Sequence, residues 1–599
     1  MGALRFDRAS FATLALVFFL LPAARAECVN PWITSDAPIY SADPEPDVFS
    51  MDTFHASPMF KDLKPKEFCR RLFDLYYDGR RKNWNDFQKG LTLWAHTGQE
   101  PHFNKPIIEL DPVLLLNVFG TGYCGIQSGM LEGIYQSRPG GTPGHPAIDA
   151  RRWFLAGIVH SVCDAYYDGG WHYYDLDIGG YAGDAQKDVW SIPDILANPK
   201  GYYTTTTIRS PYFFKADGNG TWVNQIDKAK SYAFQDDLML GHEMAFTLRR
   251  GESFTRYFSA ADAGWSEPLP FTTAPKEAVA MRGYCELVYA PTAAELAAEA
   301  LVNAGGTTIL AVRCPYNITS SKVEATGTVS LSYDLGKTWT ALPADGSVAG
   351  AVNRWDYLVR IEHGTLQKIV TRGVVHPGSL PRVAEHTTMT VREQAPYRIL
   401  TYIPDWHDAA SFAATASVSG LTYKPSGGLC MSGGVVEGSG TVTIPVIAPP
   451  GAKIVKLAAC VMGGTGTDPE PDKFLELHLG PAGQTKLVQR TTDCSGWGHK
   501  PESPVEQWQN NVNGEATFAP CATAEVKVVV HQGSVNGVRI YVGYVPDKTP
   551  PATGTLTITH CTDGKPFAVS VAVAALAKAP FQYRVPAGKV NNYVRMEVK

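Results

Sequence analysis

Apolar and polar residues follow a helical period early in the chain. Between residues 65 and 95, apolar residues such as Phe68 and Leu72 recur every three or four positions among Arg and Lys. Residues 125–135 repeat this spacing and end at a Gly- and Pro-rich cluster, residues 137–141, which breaks helices. The pattern therefore predicts two amphipathic helices in this part of the chain.

The period then changes to that of strands. Residues 158–175 form two β-prone runs around Asp168-Gly169, which is a strong hairpin signal. Beyond about residue 275, short runs rich in Val, Thr, Ile and Tyr alternate with turn residues, which predicts two or more β-sandwich-like modules. The clearest predicted strands are residues 307–312, 327–333, 441–446, 524–530, 539–545 and 555–560.

Composition narrows the class of protein. A chain of 599 residues is long enough for three or four domains, and 44% hydrophobic with 19% charged residues is typical of globular proteins. A formal net charge of −5 without a basic run argues against nucleic acid as a partner. Residues 1–26 have a basic start, a short apolar stretch and a small-x-small end, so we expect a signal peptide and a secreted or periplasmic protein without a membrane span.

Three residues have the chemistry and order of a thiol-nucleophile triad. Cys124 precedes a predicted helix, His160 follows, and Asp175 closes the predicted hairpin. A thiol reacts as its thiolate, which a helix N-terminus and a neighbouring imidazole both favour. In such a triad, His160 would exchange the proton and Asp175 would orient the imidazole. Asp177 is the alternative carboxylate, since it shares strand parity with Asp175.

The motif as a whole resembles the transglutaminase-like superfamily, whose core is similar to papain-type cysteine proteases. The resemblance covers about residues 65–275 and rests on Gly122-Tyr123-Cys124, on the Tyr-x-Asp-Gly-x-Trp hairpin at residues 166–171, and on the fifteen residues from His160 to Asp175. The sequence departs from the family at Cys163-Asp164, where many members carry Trp or Asn followed by Glu. This departure bears more on the substrate than on catalysis.

The resemblance implies an α+β transglutaminase-like (papain-like) core followed by all-β sandwich-like modules. It also implies an enzyme that attacks an amide through a Cys-His-Asp triad, by hydrolysis or acyl transfer. We expect no cofactor and identify no metal-binding residue in the sequence. Tyr123, Gln127, Trp171 and Tyr173 are candidate substrate-binding residues, and Trp94 is a further candidate oxyanion donor. The expected organisation is a signal peptide at 1–26, an irregular segment at 27–64, the catalytic core at 65–275, a β-sandwich-like module with an Asp-box-like hairpin at 276–395, and C-terminal β-rich modules at 396–599.

Two other functions fit the same sequence. Appended β-sandwiches and a Tyr-rich stretch at residues 202–214 are compatible with a secreted lyase or hydrolase of polysaccharides, with His160 and a nearby Tyr as acid and base. A non-catalytic surface binding protein that keeps the scaffold would instead have Cys124 paired or unreactive. The cysteine count of 11 is odd, so at least one thiol is left over if the others pair in an oxidising compartment.

Overall fold

The structure is a computed structural model. It describes residues 29–33, 63–74, 99–100, 105–106, 111, 114, 124–136, 148–155, 160–175, 181, 183, 189–197, 232–235, 242, 244, 246, 248–259, 261–264, 283–375, 387–393, 397–425, 432–464, 473–490, 507–508, 512–548, 553–576, 578–588 and 590–599. Among these residues, no helix has the length and apolar character needed to cross a membrane.

Six helices and thirty strands are present in the described residues. The helices are α1 (Pro65–Asp74), α2 (Cys124–Gln136), α3 (Ile192–Ala197), α4 (Ala293–Glu299), α5 (Ala409–Thr415) and α6 (Val573–Leu576). The first half of the strands is β1 (Val29–Ile33), β2 (Gln99–Glu100), β3 (Lys105–Pro106), β4 (Asp149–Leu155), β5 (His160–Tyr167), β6 (Gly170–Tyr174), β7 (Tyr232–Gln235), β8 (Glu252–Tyr257), β9 (Gly283–Tyr289), β10 (Val302–Ala304), β11 (Thr307–Arg313), β12 (Ile318–Ala325), β13 (Thr328–Ser332), β14 (Thr340–Ala341) and β15 (Asp356–Glu362). The second half is β16 (Leu366–Val375), β17 (Thr387–Glu393), β18 (Arg398–Tyr402), β19 (Ser417–Pro425), β20 (Gly434–Ile447), β21 (Ala452–Gly464), β22 (Phe474–Pro481), β23 (Lys486–Arg490), β24 (Gln507–Trp508), β25 (Val512–Cys521), β26 (Thr523–Pro546), β27 (Thr555–Thr562), β28 (Lys565–Ala572), β29 (Phe581–Val585) and β30 (Asn591–Val598).

Four large sheets organise these strands. A five-stranded sheet has the order β24-β7-β4-β5-β6, and a second five-stranded sheet has the order β10-β11-β15-β13-β14. A seven-stranded sheet runs β12-β16-β9-β8-β30-β27-β28, and an eight-stranded sheet is built around β26, which pairs with β18, β20, β21 and β22. All pairings in these sheets are antiparallel except the short one between β24 and β7. The seven-stranded sheet takes strands from both sides of residue 275.

The predicted α+β papain-like fold class is wrong for the described residues. Strands make up 58% of them and helices 14%, and the strands form several antiparallel sheets without a papain-like core. The helical period described only short segments of the chain, since α1 has 10 residues and α2 has 13. The surrounding β-prone segments pair across long sequence separations, such as β8 with β30, and periodicity does not reveal such pairings.

The local elements that carry chemistry do follow the sequence pattern. α2 covers the predicted helix at residues 125–135, and β5 and β6 form the predicted hairpin. β13 and β14 form the Asp-box-like hairpin, in which Asp334 accepts from the backbone N–H of Thr338 at 2.9 Å and Ser332 from that of Gly336 at 2.8 Å. The predicted helix at 65–95 is described only as far as Asp74.

Candidate active site

The β5–β6 hairpin fixes the distance between the predicted base and its carboxylate. Its turn is Asp168-Gly169, and the φ angles of 49° and 80° are left-handed, as a tight two-residue hairpin turn requires. His160 begins β5, and Asp175 follows the last residue of β6. Extending the register from Cys163↔Tyr174 by one residue places Asp175 diagonally across from His160 on the same face.

His160 and Asp175 are hydrogen-bonded inside the protein. The distance between His160 Nε2 and Asp175 Oδ2 is 2.7 Å, and each side chain is 1% exposed. The hydroxyl of Tyr173 donates to the same carboxylate oxygen at 2.9 Å, so Asp175 is held from two sides. Because Nε2 faces the carboxylate, Nδ1 is the ring nitrogen left to exchange a proton with a nucleophile.

Cys124 lies at the N-terminus of α2 and contacts the same imidazole. Its side chain is partly exposed, and the thiol is free. Burial alone would lower the pKa of His160, but the charge and hydrogen bond of Asp175, together with the contact to Cys124, raise that pKa well above its ordinary value. Asp175 therefore favours the protonated imidazole beside the Cys124 thiol.

A buried ion pair fixes α2 to the sheet that carries His160. Arg152 on β4 donates through Nε to Glu132 on α2 at 2.8 Å, and the two side chains are 6% and 1% exposed. The NH1 group of Arg152 also donates to the carbonyl oxygen of Gly125, the residue after Cys124, at 3.3 Å. Arg152 therefore connects the first turn of α2 to β4, next to β5.

A second buried ion pair lies on the neighbouring row of the sheet. Arg151 and Asp164 pair across β4 and β5 at 3.0 Å, and both are 0% exposed. The indole N–H of Trp153 donates to Asp164 at 2.9 Å, and the guanidinium of Arg151 lies 3.7 Å from the centre of the Trp171 ring. Burial raises the pKa of Asp164, although Arg151 opposes this shift. The Arg151–Asp164 pair and the two tryptophan side chains thus support Tyr173, which pairs with Asp164 in register.

The structure therefore brings together Cys124, His160 and Asp175. Gln127, Trp171 and Tyr173 lie close to them in the chain but are 1%, 3% and 3% exposed, so their side chains are enclosed by protein. Tyr123, Trp94 and Asp177 lie outside the described residues, as does the Tyr-rich stretch at 202–214. Among the described residues, no group of three or more His, Cys, Asp or Glu side chains has the arrangement of a metal site.

Sequence reasoning missed two contributions to this site. Tyr173 was predicted to bind substrate, but its hydroxyl contacts Asp175; their spacing of two residues along one strand was the available signal, since such residues share a face. The Arg152–Glu132 pair joins residues 20 positions apart on different elements, and nothing local in the sequence indicates it.

Comparisons with known proteins add little to this geometry. No protein-family model matches the chain, and no characterised protein matches it in sequence. It is similar to part of an uncharacterized protein from Listeria monocytogenes, at 14% identity over 43% of this chain and 20% of that one, with a TM-score of 0.18. It is also similar to a carbohydrate binding module of Cellvibrio mixtus lichenase 5A, at 13% identity over 24% of this chain and 95% of that one, with a TM-score of 0.15.

A third similarity is to the cycloalternan-forming enzyme from Listeria monocytogenes, at 14% identity over 44% of this chain and 20% of that one, with a TM-score of 0.17. The matched region spans about a fifth of each of the two Listeria chains. At these TM-scores the similarities carry no argument about fold or function.

Proposed function

We propose that this protein is a cysteine enzyme that attacks a carboxamide or peptide bond through Cys124, His160 and Asp175. The observation that carries the proposal is the buried His160–Asp175 hydrogen bond of 2.7 Å, with Cys124 at the N-terminus of α2 against the same imidazole. A histidine in a purely structural role has no need of both a carboxylate and a partly exposed thiol. The three types of side chain supply a base, its orienting group and a nucleophile.

The reaction follows from these positions. Cys124 attacks as its thiolate, with the thiol proton already on Nδ1 of His160, and the sulfur forms a bond to the carbonyl carbon of the substrate. The same proton then goes to the leaving nitrogen, the C–N bond breaks, and a thioester and an amine or ammonia result. Water completes hydrolysis, or a second amine completes acyl transfer, by attack on the thioester: the C–S bond breaks, and His160 takes the proton of the nucleophile, which restores the thiolate and the protonated imidazole. The backbone N–H of Cys124 has no partner within the helix, so it is available to the oxyanion.

The alternative in which His160 and a tyrosine cleave a polysaccharide has less support. Tyr173, whose hydroxyl contacts the pair, is 3% exposed and donates to Asp175. It is therefore committed to the carboxylate and not presented to a substrate. A binding protein without catalysis is the remaining alternative, and it predicts an unreactive Cys124.

Thiol labelling tests the proposal without knowledge of the substrate. Cys521 is a matched internal control because it is free and partly exposed, and burial raises the pKa of its thiol. We expect iodoacetamide at pH 6–7 to modify Cys124 about tenfold faster than Cys521, or more, since only Cys124 has an imidazole partner. His160→Ala should remove this difference. Equal rates in the unaltered protein would contradict the proposal.

A substrate screen then tests the reaction. Glutamine-containing peptides with a fluorescent primary amine report acyl transfer, and release of ammonia or of a new peptide amine reports hydrolysis. Cys124→Ala should abolish every such activity, whereas Cys521→Ala should retain it. Cleavage of a polysaccharide that persists after alkylation of Cys124 would instead support the glycan-directed alternative.

A further inference from the structure

Two buried cysteines from different sheets lie side by side, far from the triad in the sequence. Cys285 is on β9 of the seven-stranded sheet, and Cys314 follows β11 of the five-stranded sheet that contains β15. Their Sγ atoms are 3.6 Å apart, and both residues are 0% exposed. The sulfur pair is therefore a point of direct contact between the two sheets.

The strand beside this pair leaves space for it. Gly373 on β16 pairs in register with Cys285. A Cβ atom at Gly373 would lie 2.8 Å from the Cys285 sulfur and 3.4 Å from the Cys314 sulfur. A larger residue would thus press on the Cys285 sulfur and on the carbonyl oxygen of Asn317, 3.0 Å away, and would contact the Cys314 sulfur. Glycine at this position therefore leaves room for the Cys285 sulfur beside that of Cys314.

We propose that Cys285 and Cys314 form a cystine that covalently joins the two sheets. A disulfide has an S–S length of about 2.0 Å, so closing the present contact moves each sulfur by only about 0.8 Å. The two thiols release two protons and two electrons as the S–S bond forms. A small disulfide such as oxidised glutathione accepts them and is reduced to two thiols. The exchange takes place before the sheets close over the sulfurs.

The proposed cystine has a structural role, separate from the catalytic thiol. Burial raises the pKa of Cys285 well above its ordinary value, and the hydrogen bond with Cys314 adds to the shift. A protonated, enclosed thiol is a poor nucleophile, in contrast to the partly exposed Cys124. The predicted signal at residues 1–26 would deliver the chain to a compartment in which such a bond persists.

The sequence allows a direct test by peptide mapping. Trypsin cuts after Arg282, Arg313 and Lys322, so the two cysteines fall in separate peptides, residues 283–313 and 314–322. The full-length chain, refolded with reduced and oxidised glutathione, is alkylated, denatured and digested without reduction. We expect the two peptides to run as one linked species that separates after reduction. Recovery of both as separate alkylated peptides without reduction would overturn the proposal.

Variants supply a second readout through stability. Cys285→Ala/Cys314→Ala should lower the melting temperature by several degrees and remove the part of the reductant sensitivity that this bond causes. Cys460→Ala is the matched control, because Cys460 is equally buried on β21 but should leave the linked peptide and the reductant sensitivity intact. A double variant with the reductant sensitivity of the unaltered protein would contradict the proposal. Neither result depends on whether Cys124 is catalytic.

Discussion

The imidazole of His160 and the carboxylate of Asp175 meet 2.7 Å apart at the open end of one β-hairpin. Both residues are buried, and the hairpin that joins them closes through the Asp168-Gly169 turn. The paired part of the hairpin ends at Cys163 and Tyr174, so His160 and Asp175 lie just beyond it and the backbone register still sets their separation. The nucleophile comes from another element, α2, so the position of Cys124 depends on how that helix packs.

Asp175→Asn should reduce activity by a factor on the order of 10⁴, because an amide no longer stabilises the imidazolium and no longer selects its tautomer. The measurement is kcat/KM on whichever amide substrate the screen identifies. Asp168→Asn is the control, since Asp168 is an exposed turn residue with a left-handed φ of 49° that asparagine tolerates. If Asp175→Asn retained full activity, the triad assignment would be wrong.

Tyr173→Phe should lower kcat by about tenfold with little change in KM. The change removes one hydrogen bond to the charged Asp175 carboxylate, worth about 1.5 kcal/mol, and leaves the aromatic ring in place. Because the tyrosine acts through the carboxylate, the pH profile of kcat/KM should shift along with the rate. An effect confined to KM would instead support the earlier prediction that Tyr173 binds substrate.

Glu132→Gln should destabilise the protein by about 3–5 kcal/mol, because Arg152 would keep a buried charge without its carboxylate. The measurement is the free energy of unfolding in urea. Glu437→Gln is the control: Glu437 pairs with Lys424, but the two side chains are 44% and 60% exposed, so the expected loss is below about 1 kcal/mol. Comparable losses in the two variants would contradict the role assigned to the buried pair.

His560 should make the protein sensitive to acid. Its Nε2 lies 2.7 Å from the hydroxyl of Tyr583, its Nδ1 has no hydrogen-bond partner among the described residues, and burial lowers its pKa from 6.5 to about 4. A depressed pKa means that the unfolded chain takes up the proton first. The stability that His560 contributes is therefore complete above pH 6.5 and is lost as the pH falls through about 4.

His560→Gln should accordingly reduce the loss of stability between pH 6.5 and 4 by about 3 kcal/mol. The measurement is the free energy of unfolding at several pH values for both proteins. Their difference isolates this histidine from the other titrating groups. Parallel curves for the two proteins would show that His560 does not titrate in this range.

The parts of the site that sequence could predict are local ones. The dipeptide Asp168-Gly169 predicts a tight turn. A tight turn brings residues at fixed separations on either side of it into contact, so the spacing from His160 to Asp175 was informative. Cys124 at the start of α2 follows from helical periodicity in the same way. Each of these signals involves residues that are close together in the sequence.

The predicted fold class was wrong because a fold class depends on strand pairings between residues that are far apart in the sequence. Residues 524–530 and 539–545 were predicted as two strands, but β26 runs through both and pairs with four other strands. Within the same strand, Gln532 takes a left-handed φ of 52°, a local irregularity that does not end the strand. Which strands pair depends on the burial of apolar surface over the whole sheet. The periodicity of a short segment indicates only which of its own residues are buried.

The position of β30 determines when the seven-stranded sheet can form. Its residues, Asn591–Val598, lie between β8 and β27 in the interior of the seven-stranded sheet. During synthesis β8 emerges well before β30, and the edge of β8 that pairs with β30 has no partner until β30 is made. An unpaired strand edge is a template for wrong pairing, so a chain that stops before Asn591 would expose the edges of both β8 and β27.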